Sequence, residues 1–445
     1  MRFARFAAAA LCGLSLIAAV GCSGSSPYSQ SSSTKNDGSP KLQGSEFTYW
    51  YGLIFSDAAN EALAAQIREW GKMRGVPVKP VPVNQNDLVT QVSAAMQAKT
   101  MPDALDMSSG LMIQLNSEHN LVDLTSLYDQ LGKQYGGWLP AVGTAKTYPA
   151  YGFGVPYGVS GNILFRRHDV LGKAGYPDDP KTWEDVVGAS IKAQDPPKTN
   201  GMGFALSNVG DAESFVEAVL HDYGARIAND SGTACTLDTP QTREAVTLLK
   251  RAWDAGLFPK DSTTWDGAGD NEAYQSGQTL FMANPGSVQV YMADNDPELN
   301  EGTRYSPLPA GPRMQVSPAS LWSRVIPSSS KNKALAEDLI KYLSRPDNME
   351  EYYKHAIYGP VLGDYAKFSL FNEASSPVLA GLKQLSQVGT TASYPDVNNV
   401  AYSNYSSTFQ AAKMVQRVVV NNQSVDASVR RAQADCQQIY QRAGK

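Results

Sequence analysis

Residues 47–83 read FTYWYGLIFSDAANEALAAQIREWGKMRGVPVKPVPV. The aromatic and β-branched run at 47–50 suits a buried strand. A helix is predicted next, because Ser56 can cap its start and apolar residues then recur at helical spacing until Gly75 ends it. A second strand, interrupted by proline, runs to Val83, and its prolines place it near a sheet edge or at strand ends. Strand, helix and strand in this order predict a parallel strand pair.

The same alternation continues with a helix around residues 88–95 and a third strand at 104–107. This rhythm predicts an α/β fold with a mainly parallel sheet and helices on both faces. Ligands of such sheets bind beyond the carboxyl ends of the strands. The candidate binding residues at those ends are Trp50, Tyr51, Asn84, Gln85, Ser108 and Ser109. An asparagine there also suits a simple turn, and the serines also suit a helix N-cap.

Four later segments carry more specific patterns, and they lie at residues 155–157, 169–185, 274–282 and 305–334. They read VPY, DVLGKAGYPDDPKTWED, YQSGQTLFM, and a stretch that begins YSPLP and ends IPSSSKNKA. They resemble bacterial extracellular solute-binding proteins that feed ABC importers, the branch typified by maltose-binding proteins. The likeness covers roughly residues 46–360. One departure is Arg167, where the family commonly has asparagine.

The resemblance implies a two-lobed fold of the periplasmic binding proteins. Each lobe would be a mainly parallel sheet flanked by helices, and hinge strands would join the two. Residues 46–156 and 284–328 would form lobe one, and residues 157–283 and 329–445 would form lobe two. The implied job is to capture a solute between the lobes by hinge closure and to deliver it to a permease, with no cofactor and no reaction.

A sugar pocket needs planar aromatic rings for stacking and carboxylate or amide groups for hydroxyls. Besides the strand-end residues above, the resemblance places further candidates at Tyr157, Trp265, Asp266, Asn284, Trp322 and Tyr358. Large rings more often pack in a core, and an aspartate in a glycine-rich loop also forms turns. Each of these assignments therefore has a structural alternative.

The first residues predict export. Two arginines precede an apolar run at 6–20 that is too short to span a bilayer, and the run ends at Ala-Val-Gly-Cys22. This resembles a bacterial lipoprotein signal, with residues 1–21 removed and Cys22 acylated. An ordinary secretory signal is the alternative. Residues 22–45 are rich in serine, glycine and proline and predict a flexible tether. We expect the protein to be anchored to the outer face of the cytoplasmic membrane.

The remaining cysteines predict a disulfide. Cys12 would leave with the signal and Cys22 would carry lipid, so Cys235 and Cys436 would be left in an oxidising compartment. Two buried free thiols are the alternative. The chain has no CxxC motif, and its four histidines lack metal-ligand spacing, so no metal site is predicted.

The net charge of the chain narrows the classes of partner that it is expected to bind. The formal net charge of −5 gives no support to nucleic-acid binding, which favours a basic patch. The expected solute is a mono- or oligosaccharide, with polyols and glycerophosphodiesters as further possibilities. The other expected partner is an ABC permease, with membrane contact through the lipid anchor alone. We expect a monomer.

Two other classes of function compete with solute capture. A lipoprotein glycoside hydrolase needs two carboxylates about 5–10 Å apart, and the 43 acidic residues make some such pair inevitable. The sequence has no GxSxG, HExxH or P-loop motif, so we do not predict an enzyme. A sensing or adhesion module is the second rival, and the sequence leaves it open.

Overall fold

The computed structural model describes residues 40–53, 56–85, 87–144 and 152–443. Residues 41–445 cluster as one compact unit. The predicted signal sequence, Cys22 and most of the tether lie outside the described residues. Within the described ranges, no helix combines the length and the apolar character needed to cross a bilayer.

The described ranges contain nine strands in two sheets. The strands are β1 (Phe47–Leu53), β2 (Val78–Asn84), β3 (Ala104–Ser108), β4 (Val155–Gly161), β5 (Ile163–Arg167), β6 (Asn200–Met202), β7 (Thr279–Asn284), β8 (Thr303–Ser306) and β9 (Ala319–Val325). The first sheet has the order β2-β1-β3-β9-β4, and the second has the order β6-β7-β5-β8. These sheets define the two lobes.

Helices surround both sheets. They are α1 (Asp57–Arg74), α2 (Leu88–Ala98), α3 (Ser109–Ser117), α4 (Thr125–Gln134), α5 (Pro140–Thr144), α6 (His168–Lys173), α7 (Trp183–Ala193), α8 (Gly210–Asp222), α9 (Pro240–Asp254), α10 (Gly269–Gln275), α11 (Ser287–Asn295), α12 (Pro297–Gly302), α13 (Lys333–Leu343), α14 (Pro346–Tyr353), α15 (Pro377–Val388), α16 (Val400–Ser407), α17 (Gln410–Val419) and α18 (Val425–Ala443).

Local sequence sets the ends of the best-predicted helices. Ser56 Oγ accepts a hydrogen bond from the backbone N–H of Ala59 at 3.2 Å, and Gly75 ends α1 in the left-handed conformation. Thr182 and Asp185 form a reciprocal capping box at the start of α7, with hydrogen bonds of 3.1 and 2.8 Å. These helix starts follow the sequence prediction.

Both sheets are mixed rather than mainly parallel. In the first sheet, β1 runs parallel to β2 and β3, whereas β9 runs antiparallel to β3 and β4. In the second sheet, β6 and β7 are parallel, and β5 is antiparallel to β7 and β8. Strands β5 and β9 each enter their sheet from the other lobe. They therefore run antiparallel to their neighbouring strands, which point towards the crossing between the lobes.

The lobes divide the chain differently from the expected ranges 284–328 and 329–445. The strand β8 joins the second sheet, and helices α13 and α14 pack on α1 beside the first sheet. Only α16, α17 and α18 join lobe two, where they pack with α8 and α9. The apolar periodicity of a helix identifies its buried face without identifying the surface that covers it, so the lobe that each tail helix joins depends on packing between distant segments.

The chain passes between the lobes at residues 161–163 and 307–318, and residues 389–399 lead from α15 to α16. The first two of these segments meet at Gly161, whose φ is +153°. A Cβ there would lie 2.3 Å from the carbonyl oxygen of Pro318 and 3.2 Å from Leu385 Cδ2. Glycine is therefore required at the point where the crossing segments touch.

A disulfide lies in lobe two. The Sγ atoms of Cys235 and Cys436 are 2.07 Å apart, and their Cα atoms are 5.9 Å apart. The pair joins the loop before α9 to α18 across a sequence separation of 201 residues. This is the pairing that the sequence predicts for the two cysteines left after the signal and the lipid-bearing residue are set aside.

Candidate functional site

A cavity of about 200 Å³ lies at the carboxyl end of the first sheet, beside the crossing segments. Its lining residues lie in or next to strands and helices that surround the two sheets. They are Ser56, Gln85, Ser160, Pro285, Ser287, Val290, Trp322, Ile357 and Tyr358. These nine residues offer hydroxyl, amide and aromatic groups and carry no formal charge. The lining therefore suits hydrogen bonding and ring stacking.

One wall of the cavity is held by a short network. Gln85 Nε2 donates a hydrogen bond to the Tyr358 hydroxyl at 3.4 Å. A Cβ at Gly52 would lie 3.3 Å from Gln85 Cγ and 3.5 Å from Trp322 Cζ3, so strand β1 passes closely behind both side chains. Burial raises the pKa of Tyr358 above its ordinary value, so its hydroxyl stays protonated at neutral pH.

Three of the residues predicted from sequence line this cavity: Gln85, Trp322 and Tyr358. Ser108 pairs with Trp322 in the β3–β9 register, at the N-cap position of α3, and Ser109 is the first residue of that helix. Both serines therefore lie next to the site without lining the cavity. Their position agrees with either the binding or the N-cap interpretation.

Other predicted residues on the first two strands lie outside the cavity lining. Trp50 is half-buried and packs with Trp322 against a cluster that includes Leu105 and Met107. Tyr51 is buried on the opposite face of β1, in the main core of lobe one. Asn84 is exposed at the end of β2. The structure thus places the aromatic side chains of β1 chiefly in packing roles.

Tyr157 and Asn284 support the site from behind. The Tyr157 side chain is 1% exposed and packs in the core of lobe one. Asn284 Oδ1 accepts hydrogen bonds from the backbone N–H groups of Gly286 and Val288, at 2.8 and 3.3 Å. It therefore holds the start of α11, the helix whose Ser287 lines the cavity.

Trp265 and Asp266 lie in lobe two, away from this cavity. The carbonyl of Trp265 accepts a hydrogen bond from Ser207 Oγ at 2.5 Å, and Asp266 Oδ1 accepts one from the Ala268 N–H at 2.9 Å, as in a turn. Asp270 is close by, and burial, with the charge of Asp211, raises its pKa to about 7. The predicted pair is therefore not brought together with Trp322.

Sequence reasoning missed six lining residues: Ser56, Ser160, Pro285, Ser287, Val290 and Ile357. Ser56 was identified only as a helix cap, although it follows the first strand and so carried a positional signal. The others come from the end of β4, from α11 and the residue before it, and from the loop after α14, and no motif marks them. Among the described residues, no group of three or more His, Cys, Asp or Glu side chains could hold a metal ion.

Comparisons with known proteins agree with this architecture. The family described as bacterial extracellular solute-binding protein matches residues 55–350. A binding protein of Brucella abortus is 24% identical over 269 residues, which is 57% of this chain and 63% of that relative, so the match spans less than two thirds of the relative's length. A Deinococcus radiodurans protein named as an ABC transporter-binding protein is 23% identical over 308 residues, 67% of this chain and 72% of its own.

Solved structures show the same fold. A cyclic alpha-maltosyl-1,6-maltose binding protein from Arthrobacter globiformis superposes with a TM-score of 0.71 at 18% identity, covering 89% of this chain and 99% of that chain. A sugar-binding protein from Xanthomonas citri gives a TM-score of 0.71 at 19% identity, covering 89% and 98%. The two-lobed fold predicted from the sequence is thereby confirmed. With a family match over well over half of its length, the chain belongs to the bacterial extracellular solute-binding proteins.

Proposed function

We propose that this protein captures an uncharged, hydroxyl-rich solute, a sugar or a polyol, and delivers it to the permease of an ABC importer. Membership of the family implies an exported binding protein with a small solute and a transporter as partners. The finer assignment depends on one observation, the uncharged lining of the cavity beside Trp322.

The lining argues against charged solutes in this cavity. A phosphate or ammonium group that enters it would lose hydration without meeting an opposite charge among the described lining residues, and the effective penalty for such an ion is several kcal/mol. Hydroxyl groups, in contrast, can exchange hydrogen bonds with Ser56, Gln85 and Ser287, while a sugar's CH face can stack on Trp322. A glycerophosphodiester is therefore the least favoured of the solutes considered.

The proposed mechanism is hinge closure. A solute that contacts both lobes binds the closed state more tightly than the open one and shifts the population towards it. The crossing segments that meet at Gly161 would act as the hinge, and their close contact there supports this assignment. The permease would then recognise the closed form, and the predicted lipid on Cys22 would keep the protein at the membrane.

The test compares matched solutes. The chain from residue 41, which is a compact unit, is heated with glucose, glucosamine and glucose 6-phosphate, with glycerol and glycerol 3-phosphate, and with maltose and maltotetraose. We expect uncharged members to stabilise the protein, by about 2.7 kcal/mol at 100 times the dissociation constant. A phosphorylated or cationic member that binds more tightly than its neutral twin would contradict the proposal.

The same samples separate binding from catalysis. Chromatography after incubation should recover the stabilising solute unchanged, whereas its consumption would support the glycoside hydrolase alternative.

A further inference from the structure

A row of polar side chains crosses the first sheet on strands β1, β3 and β9. Tyr49 on β1 donates a hydrogen bond to Asp106 on β3 at 2.5 Å, and Asp106 faces Arg324 of β9 in the antiparallel register. Arg324 is 1% exposed. It lies two residues from Trp322 on β9. The first sheet therefore carries a buried guanidinium on the strand that also holds Trp322.

A bulge in β4 turns Tyr157 towards this guanidinium. The register between β4 and β9 shifts between Pro156 and Gly158, which leaves Tyr157 without a ladder partner. The Cζ atom of Arg324 lies 4.6 Å from the centroid of the Tyr157 ring, within cation–π distance. Tyr353 donates a hydrogen bond to the carbonyl of Tyr157 at 2.7 Å. Bulges of this kind re-aim side chains and are common beside functional sites.

Tyr157 in turn supports the cavity wall. Its ring meets the ring of Tyr358 edge to face, with centroids 5.9 Å apart and planes at 89°. Tyr352 stacks on Tyr358 at 6.5 Å and also meets Tyr157 edge-on at 6.0 Å, so the three rings contact one another. A Cβ at Gly158 would lie 2.7 Å from Tyr358 Cγ, so only glycine admits the ring there. Tyr358 is thus enclosed by three neighbours before it reaches the cavity.

Arg324 makes few of the hydrogen bonds that a guanidinium can donate. Its Nη atoms lie 3.7 Å from Met349 Sδ, a weak acceptor, and its Nε makes no hydrogen bond among the described residues. A buried ion pair is often no more stabilising than apolar side chains of similar volume. The guanidinium has two contacts that an apolar residue would lack: the buried Asp106, which it faces across the β3–β9 register, and the face of Tyr157.

We propose that Arg324 is a positioning residue of the solute site, which holds Tyr157 and, through it, the Tyr358 side chain against the cavity. The inference rests on the proposed function only in treating the cavity beside Trp322 as the solute site. It assigns Tyr157 to the support of Tyr358 rather than to direct contact with solute.

The test places 3-fluorotyrosine at position 358 of the full chain and records its ¹⁹F NMR resonance without solute. We expect Arg324→Met to shift and broaden the resonance, because the ring loses its support, and Arg324→Lys to restore it, because a cation over Tyr157 is kept. Leu127→Ala is the control, since it removes a buried side chain of lobe one on α4. If Arg324→Met fails to fold, Asp106→Asn combined with Arg324→Met removes both buried charges.

An unchanged resonance in the methionine variant would overturn the proposal. So would equal broadening in Leu127→Ala, which would point to general loosening, or equal broadening in Arg324→Lys, which would remove the role of the cation.

A second measurement uses maltose as the probe in titration calorimetry. We expect Arg324→Met to weaken binding at least tenfold and Arg324→Lys less than threefold, and equal affinities in wild type and Arg324→Met would contradict the proposal. Because the NMR measurement needs no sugar, failure of wild type to bind maltose would count against the proposed function and leave the role of Arg324 to be decided by the resonance.

Discussion

Trp322 is the side chain on which the binding proposal depends most directly. It lines the cavity and packs, half-buried, between the two apolar clusters of lobe one. Trp322→Ala should lower the affinity for the stabilising sugar at least tenfold, about 1.4 kcal/mol, because the stacking surface is lost. Calorimetry measures the affinity, and Trp322→Phe should retain part of it.

Trp50→Ala provides the matched control for Trp322→Ala. Trp50 packs in the same cluster as Trp322 and does not line the cavity. Its removal should lower stability with little effect on affinity. Equal losses of affinity in the two alanine variants would show that Trp322 acts through the fold alone.

Helix α8 carries a buried row of titratable groups, Glu213, Glu217 and His221, at a spacing of four residues that puts them on one face. The Glu213 carboxylate accepts hydrogen bonds from the N–H groups of Ala411 and Ala412 at the start of α17, at 3.1 and 2.8 Å. Burial raises the pKa of both glutamates, and Glu217 adds to the shift of Glu213.

The groups that face this row are Tyr402, Tyr405 and Asp396. Tyr402 donates a hydrogen bond to Glu217 at 2.5 Å, and His221 Nε2 lies 3.0 Å from Asp396 Oδ2. Burial raises the pKa of both tyrosines, so they stay neutral near pH 7. Hydrogen bonds from His221 and from backbone N–H groups outweigh burial at Asp396 and lower its pKa, so it stays charged. The pKa values of both glutamates therefore differ between the folded and the unfolded chain.

These raised pKa values predict a pH dependence of stability. Above the unfolded value near 4.5, the unfolded chain loses protons that the folded chain keeps, so the free energy of unfolding falls as pH rises. Each such group contributes a slope of up to about 1.4 kcal/mol per pH unit. Glu217→Gln, which keeps an acceptor for Tyr402, should flatten this slope in melting curves recorded from pH 5 to 8.

An exposed glutamate supplies the comparison for that series. Glu298→Gln on α12 changes the same charge at the surface and should leave the slope as it is. A slope that Glu217→Gln leaves untouched would mean that Glu217 is charged in the folded protein at neutral pH.

The disulfide also acts between elements, since it joins the loop before α9 to α18. Because it closes a loop of about 200 residues, its loss should lower stability by about 2–5 kcal/mol. Reduction of the chain from residue 41, and the variant Cys235→Ala with Cys436→Ala, should show similar falls in melting temperature. Detection of two free thiols in the unreduced, denatured protein would contradict the pairing.

For the whole molecule, the proposed movement depends on the place where the crossing segments meet. A side chain at Gly161 would collide with the carbonyl of Pro318 and would be strained at a φ of +153°. Gly161→Ala should therefore alter hinge closure. Small-angle scattering should show the wild type contracting with saturating sugar and the variant contracting less.

Gly188→Ala is the control for the hinge variant, because a Cβ there meets no atom within 4 Å and the residue lies within helix α7. It should contract as the wild type does. Contraction of Gly161→Ala by the full amount would place the pivot elsewhere.

The parts of the fold and site that could be predicted are those with a local cause. The caps Ser56 and Thr182 satisfy backbone donors only a few residues away, so they could be identified from spacing. Gln85 and Trp322 could be placed at the site because they follow a strand and a family-like motif. Trp265 is different, since its position relative to the cavity depends on how two lobes meet, which no local pattern encodes.

By itself, the sequence determined the alternation of strands and helices, the family and the expectation of export, because hydrophobic period, capping residues and motifs act over short distances along the chain. Only the tertiary structure decided that α13 and α14 cover lobe one while α16, α17 and α18 cover lobe two, and that Tyr157 packs against a buried Arg324. Those outcomes depend on which apolar and charged surfaces meet across hundreds of residues, and packing between distant segments selects among partners that look alike in sequence.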